Sequence, residues 1–167
     1  PLYEAKMLHH YDHRWANAGD GEPDRSSPTS CAQPRYWVLA SRTHDSLPVG
    51  SKALTAWRKI CRSTDERTCI TARYPAVAAG DNLLLYCAGE GPAILPEALS
   101  SIAFDFVARQ KHGGANLQYY IVRQLPAPTP TAIPPSLVAS RTLELTYTAW
   151  DMEPFARDLG FTGPPFR

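Results

Sequence analysis

The chain has 167 residues, 44% of them hydrophobic and 20% charged, and a formal net charge of +1 at pH 7. That length supports one domain burying about two thirds of its unfolded surface, and no apolar run approaches the ~20 residues that span a bilayer, so no membrane partner is expected. Near-neutrality excludes binding through bulk charge, but affinity for a polyanion depends on where charge lies rather than on its sum.

The opening, LYEAKMLHHYDHR, packs Glu4, Lys6, His9, His10, Asp12, His13 and Arg14 into thirteen residues. It reads as the middle of a larger protein, so residues 1–16 are expected to lead in from a neighbouring domain. Residues 17–34, NAGDGEPDRSSPTSCAQP, carry Gly, Pro, Ser and Asp without apolar periodicity and predict a long exposed loop or flexible insert. The body is placed at 35–125. RYWVLA (35–40), Thr68–Val77 and Leu83–Cys87 are aromatic and β-branched enough for strands, with Gly80-Asp81-Asn82 as a turn. ALTAWRKICRS (53–63) suits either a helix or a short strand.

Pro96–Arg109 predicts a helix, with Leu99, Ile102, Ala103, Phe106 and Val107 on one face. LQYYIVRQL follows as a strand or short helix. PAPTPTAIPP cannot form a helix interior or a central strand, so 126–136 is a semi-rigid connector. Residues 137–167 are expected to return as one or two helices, signed by Asp151, Glu153 and Pro154. These elements predict an α+β fold: one domain with a small mixed sheet of short strands packed by helices.

Cys31, Cys61, Cys69 and Cys87 lack the close pairing of a zinc site, and reduced thiols in a cytoplasmic protein are the simplest reading. His9 and His13 stand four apart and His10 and His13 three apart, a spacing that with Asp12 suits a divalent metal if the segment is helical. There is no HExxH base and no third ligand set by motif, so no metal is assigned. Neither a P-loop, a G-x-G-x-x-G loop nor a G-x-S-x-G elbow occurs, and no catalytic residue is assigned. Gly89-Glu90-Gly91 is followed by Pro92 and reads as a turn.

Charge is uneven. Arg35, Arg42, Lys52, Arg58, Lys59, Arg62, Arg67 and Arg73 meet only Asp45, Asp65 and Glu66 within residues 35–73. Lys111-His112-Gly113-Gly114-Ala115-Asn116 adds a basic, glycine-rich loop after the helix. Glycines let backbone N–H groups approach phosphate closely, and they also cap helices; both roles fit.

LYEAKMLHHYDHR, RYWV, WRKICRSTDERTCITARYP, FDFVARQKHGGANLQYYIVRQLP and LELTYTAWDMEPFARDLGFTGPPFR together resemble consecutive segments from the C-terminal half of large bacterial N6-adenine DNA methylases of restriction-modification and phage-defence systems, including single-chain type II enzymes. The resemblance covers nearly the whole chain apart from 17–34. It implies a target recognition domain related to type I specificity domains, with Gly113-Gly114 and Gln124-Leu125-Pro126-Ala127-Pro128 matching that family's glycine loop and Q-L-P-x-P connector. It also implies double-stranded DNA as partner and a methylase core of the same protein upstream. That core would carry S-adenosylmethionine and the Asn/Asp-Pro-Pro-Tyr/Phe tetrapeptide; this chain would hold no cofactor and no activity alone. Gly163-Pro164-Pro165-Phe166 echoes the tetrapeptide, but glycine has no side chain to accept the adenine amino hydrogens.

On this reading the candidate phosphate contacts are Lys6, Arg14, Arg58, Arg62, Arg67, Lys111, Gly113, Gly114 and Arg123, and the candidate base contacts are Arg42, His44, Asn116 and Gln118. Arg67 fits an ion pair with Asp65 or Glu66 equally well. Two other classes compete: a protein-interaction module using the proline-rich connector with Tyr119 and Tyr120, and a metal-dependent nuclease built on His9, His10, Asp12 and His13.

Overall fold

The segment 53–63, open to either helix or strand by propensity, folds as strand β2 (Ala53–Arg58) in a computed structural model that describes residues 1–86, 95–127 and 133–166. The strand is favoured because both its faces find apolar cover. Strand β3 (Thr71–Pro75) pairs antiparallel with it, Ala53 opposite Pro75 and Trp57 opposite Thr71. Strand β5 (Leu83–Tyr86) pairs antiparallel along the other edge, Thr55 opposite Tyr86 and Arg58 opposite Leu83, giving the order β3-β2-β5. The turn at Gly80-Asp81-Asn82 forms as expected, Leu83 N donating to Gly80 O at 2.9 Å. Cys87, expected to end this strand, and the Gly89-Glu90-Gly91 turn lie outside the described residues.

Alternation along β2 assigns its two faces. Leu54 and Ala56 join Ala72, Tyr74 and Leu83 in a core closed by Tyr3, Met7 and Leu8 of the opening segment. Burial of Met7 and Leu8 contributes about 1.5–3 kcal/mol each. Here β1 (Leu2–Tyr3) runs parallel to β4 (Ala78–Ala79), and a 3-10 turn follows at Ala5–Met7. The opening segment therefore supplies a wall of this domain. Residues 17–34 form no helix or strand, yet Ala18 and Ala32 are buried in the same core.

Trp57 faces the second core, where Cys69 meets Leu99, Phe104, Ala108, Leu117 and Ile121. The helix expected over 96–109 is two helices, α2 (Leu95–Leu99) and α3 (Ile102–Lys111). Ser101 separates them because its hydroxyl accepts from Phe104 N at 3.1 Å, an N-cap that starts a new helix. The break also changes the phase of the buried face. Phe104, Asp105 and Ala108 face inward, while Ile102 and Phe106, expected in the core, are 71% and 63% exposed. A short helix α4 (Tyr119–Val122) closes this core.

The expected strand at 35–40 does not form. Tyr36 O accepts from Leu2 N at 3.0 Å, but Trp37 and Leu39 stand 70% and 74% exposed, and the chain enters helix α1 (Ala40–Ser46), which buries none of its residues. β-propensity alone supplied no strand partner here. Of the proline-rich connector, residues 128–132 lie outside the described residues; Pro135 opens helix α5 (Pro135–Thr146), where its fixed φ suits the first turn. Helix α6 (Glu153–Asp158) carries Pro154 in its first turn, as the sequence signature anticipated. Leu143, Tyr147, Met152, Phe155 and Ala156 form a third core. The whole is a small α+β domain.

Candidate nucleic-acid interface

Beyond Arg58 the chain continues into a loop, Lys59–Arg67, that pairs with a second loop, Lys111–Gln118. Leu117 N donates to Lys59 O at 2.7 Å and Cys61 N to Ala115 O at 3.1 Å, framing an antiparallel bridge between Ile60 and Asn116. Buried His112 adds a third tie, its Nε2 lying 3.2 Å from Cys61 O.

Helix α3 holds the rest of the first loop. Asp105, 4% exposed, accepts through one carboxylate oxygen from Thr68 N and Cys69 N, both at 2.7 Å. One turn on, Arg109 donates to Ser63 O at 2.7 Å, Asp65 O at 2.8 Å and Glu66 O at 2.9 Å. Both side chains thus satisfy loop backbone that has no sheet partner. The 4-residue spacing of Asp105 and Arg109 is visible in the sequence, but their targets, 36 to 46 residues away, are not.

Of the residues proposed from sequence, the paired loops bring together Arg62, Arg67, Lys111, Gly113, Gly114, Asn116 and Gln118, with Arg123 following at the end of α4. Arg62, Lys111, Asn116 and Arg123 are exposed; Arg67 and Gln118 are half-buried. Among the ion pairs of the described residues none joins Arg67 to Asp65 or Glu66; the Asp65 carboxylate accepts instead from Arg62 N at 2.8 Å. The two glycines are informative. The residue that caps α3 is His112, in an extended conformation, and neither Gly113 nor Gly114 has a positive φ. A Cβ at either would meet nothing within 4 Å. Neither capping, left-handed backbone nor packing demands glycine there, so the capping role is set aside.

Other proposed residues are placed elsewhere. Arg14 is 2% exposed and donates to Ser27 O at 2.8 Å, Ser30 O at 3.0 Å and Thr148 O at 2.9 Å. A buried guanidinium spent on backbone carbonyls cannot reach phosphate, which corrects that assignment. Arg58 is corrected likewise: its Nε donates to Leu8 O at 2.8 Å, holding the opening segment. Lys6 is exposed on the 3-10 turn. Arg42 and His44 are exposed on α1, which leads into β2 at Ala53, whereas the paired loops leave β2 at Arg58. A six-residue strand separates those ends by roughly 17 Å.

The histidine cluster diverges. His13 is fully buried with Nε2 2.8 Å from an Asp151 carboxylate oxygen. His9 stacks on Trp15 at 4.2 Å between ring centroids, and the Arg25 guanidinium lies 4.6 Å from the same indole. Asp12 accepts from Arg14 N at 2.7 Å. Burial, aided by the nearby Arg67 charge, pushes His10 down to about 4, and burial with Arg58 lowers His9. Among the described residues, no three His, Cys, Asp or Glu side chains converge as metal ligands. Burial pushes the Cys61 thiol up to about 11 and that of Cys69 to about 12, so neither is a thiolate at neutral pH, although Cys61 Sγ lies 3.6 Å from His112 Nε2.

Two features stand apart from the loops. A cleft of about 510 Å³ lies between β2, α5 and α6, with the Arg73–Glu97 ion pair and Phe155 in its wall. In the tetrapeptide-like run, a Cβ on Gly163 would sit 2.5 Å from the Phe161 ring, so Asn or Asp could not occupy that position without displacing the ring. No helix among the described residues is long and apolar enough to cross a membrane. No family model, curated protein or solved structure matches the chain.

Proposed function

We propose that this chain recognises double-stranded DNA, as the specificity domain of an N6-adenine DNA methyltransferase or restriction-modification enzyme of bacterial phage defence. The observation that carries the reading is the pairing of Lys59–Arg67 with Lys111–Gln118, which sets exposed Arg62, Lys111 and Asn116 around two glycines that the fold itself does not require. Cations beside an accessible backbone suit phosphate, and amides and guanidinium groups on the same loops suit base edges. An adenine methylase flips its target base and needs a second surface to grip the duplex. In this reading S-adenosylmethionine and the catalytic tetrapeptide belong to a methylase core of the same protein upstream, and no methyl-transfer step is assigned to these residues.

The test is titration of the chain with duplex DNA at several salt concentrations. Binding should weaken as salt rises, with a log–log slope of roughly 0.9 per phosphate contacted. Binding that ignores salt, or no binding to any duplex, overturns the proposal. A second reading, a protein-docking module, is favoured by a different observation: Tyr36, Trp37, Val38 and Leu39 form a consecutive exposed apolar run, and Ile102 and Phe106 are exposed four apart on α3. A partner pull-down that survives Lys111→Ala and fails with Trp37→Ser would support that reading.

A further inference from the structure

Among the cations of the paired loops one residue is out of character. Ile60 is 57% exposed, although its neighbour Cys61 is buried and the chain alternates inward and outward as a strand does. Its partner across the bridge is Asn116, also exposed. The two flanking bonds, Leu117 N to Lys59 O and Cys61 N to Ala115 O, make Ile60 and Asn116 a non-hydrogen-bonded antiparallel pair. In such a pair the Cα atoms are roughly 4.5 Å apart and the side chains lie side by side on one face. Backbone ties on either side fix an apolar group and a carboxamide together, facing solvent, on the same loops as exposed Arg62 and Lys111.

That juxtaposition matches one base pair and no other. In the major groove an A·T pair presents the adenine N7 acceptor and N6 donor, which a carboxamide engages with two hydrogen bonds, and beside them the thymine methyl, the one apolar group on any base edge. A G·C pair offers no methyl, and its guanine edge presents two acceptors. We propose that Ile60 and Asn116 act as a two-part reader of a single A·T pair, Asn116 taking the adenine edge and Ile60 the thymine methyl. The proposal rests on the DNA reading above and adds the identity of two specificity-determining residues, of which the sequence singled out only Asn116.

Selection of the full chain against a randomised duplex pool, followed by titration of the selected duplex, tests it. The enriched site should contain an A·T pair whose preference is lost in Asn116→Ala while the other positions persist; a good two-bond contact corresponds to roughly 5- to 150-fold discrimination. Replacing the thymine of that pair with uracil removes only the methyl and should weaken binding by about fourfold. The uracil effect should persist in Ile60→Val and vanish in Ile60→Ala. Both residues are exposed, and matching unfolding curves would confirm that the variants are folded. An unchanged consensus in Asn116→Ala, or an equal uracil penalty in Ile60→Ala, overturns the assignment even where salt-dependent DNA binding is intact. Absence of enrichment together with absence of salt-dependent binding would instead overturn the DNA reading.

Discussion

Asp105 is the side chain whose removal should damage the paired loops most directly. Its Oδ1 accepts from two buried backbone donors, Thr68 N and Cys69 N, each at 2.7 Å, and no water can replace it at residues that are fully buried. Hydrogen bonds to a charged partner contribute about 1.5–3 kcal/mol each, and orphaned buried donors carry the full desolvation penalty. Asp105→Ala should therefore cost about 3–5 kcal/mol, a large share of the ~5–15 kcal/mol that holds a domain together. Asp105→Asn keeps the acceptor for both amides but loses the charge and the Oδ2 that accepts from Arg109 Nη2 at 3.4 Å, so about 1–2 kcal/mol is expected. Urea unfolding of both variants measures this; with a slope of roughly 2 kcal/mol per M, the alanine variant's midpoint should fall by about 2 M. Amide exchange at Thr68 and Cys69 should accelerate in the alanine variant before global unfolding. An alanine variant within about 0.5 kcal/mol of the parent, or with those two amides still protected, would refute the hub role.

Three further outcomes follow from the same geometry. Arg14→Leu should destabilise by about 3–5 kcal/mol, because Ser27, Ser30 and Thr148 carbonyls lose a charged donor; its salt dependence of DNA binding, measured where it remains folded, should match the parent. Lys111→Ala should weaken binding to all duplexes alike and lower the salt slope by about 0.9, as filter binding across salt concentrations would reveal. His10 is held down to about 4 in the fold against an ordinary 6.5, so between those values the unfolded chain binds a proton that the folded chain does not. Stability should thus fall as pH drops from 6.5 towards 4, and His10→Gln should flatten that slope in urea titrations.

How much of this was legible in the sequence depends on how local each cause is. The Gly80–Asn82 turn and the Pro154 helix start are written in neighbouring residues and form as read; β2 stayed open between helix and strand because the residues that cover its two faces come from other segments. The interruption between α2 and α3 is also local: Ser101 precedes Phe104 by a capping distance, but the apolar spacing of Leu99, Ile102, Ala103, Phe106 and Val107 runs across it without a break and masks the cap. Asp105 is a different case. A carboxylate between Phe104 and Phe106 reads as a solvent-facing position, and two amides 36 and 37 residues away, with Arg109 one turn on, make burial favourable. Arg14 and Arg58 were named as phosphate contacts because a guanidinium suits phosphate; carbonyls that hold them, of Thr148 and Leu8, lie 134 and 50 residues away. Arg62, Lys111 and Asn116 were named from charge and glycine context, while Ile60, an ordinary apolar residue on paper, gained interest only once the bridge put it outside.

The opening segment's ties also bear on the order in which the chain can become native as it is synthesised. His13 bonds to Asp151 and Arg14 to Thr148, across separations of 138 and 134 residues. Until residues 148–151 leave the ribosome, the wall that closes the first core has two polar anchors with no counterpart at the C-terminal side. The sheet and α3 can assemble earlier from nearer contacts, but closure of the domain waits until residues 148–151 have emerged, the pattern of a high-contact-order fold. A ribosome stalled before Thr148 would therefore display a sheet with its paired loops on a body whose opening segment still lacks its C-terminal anchors.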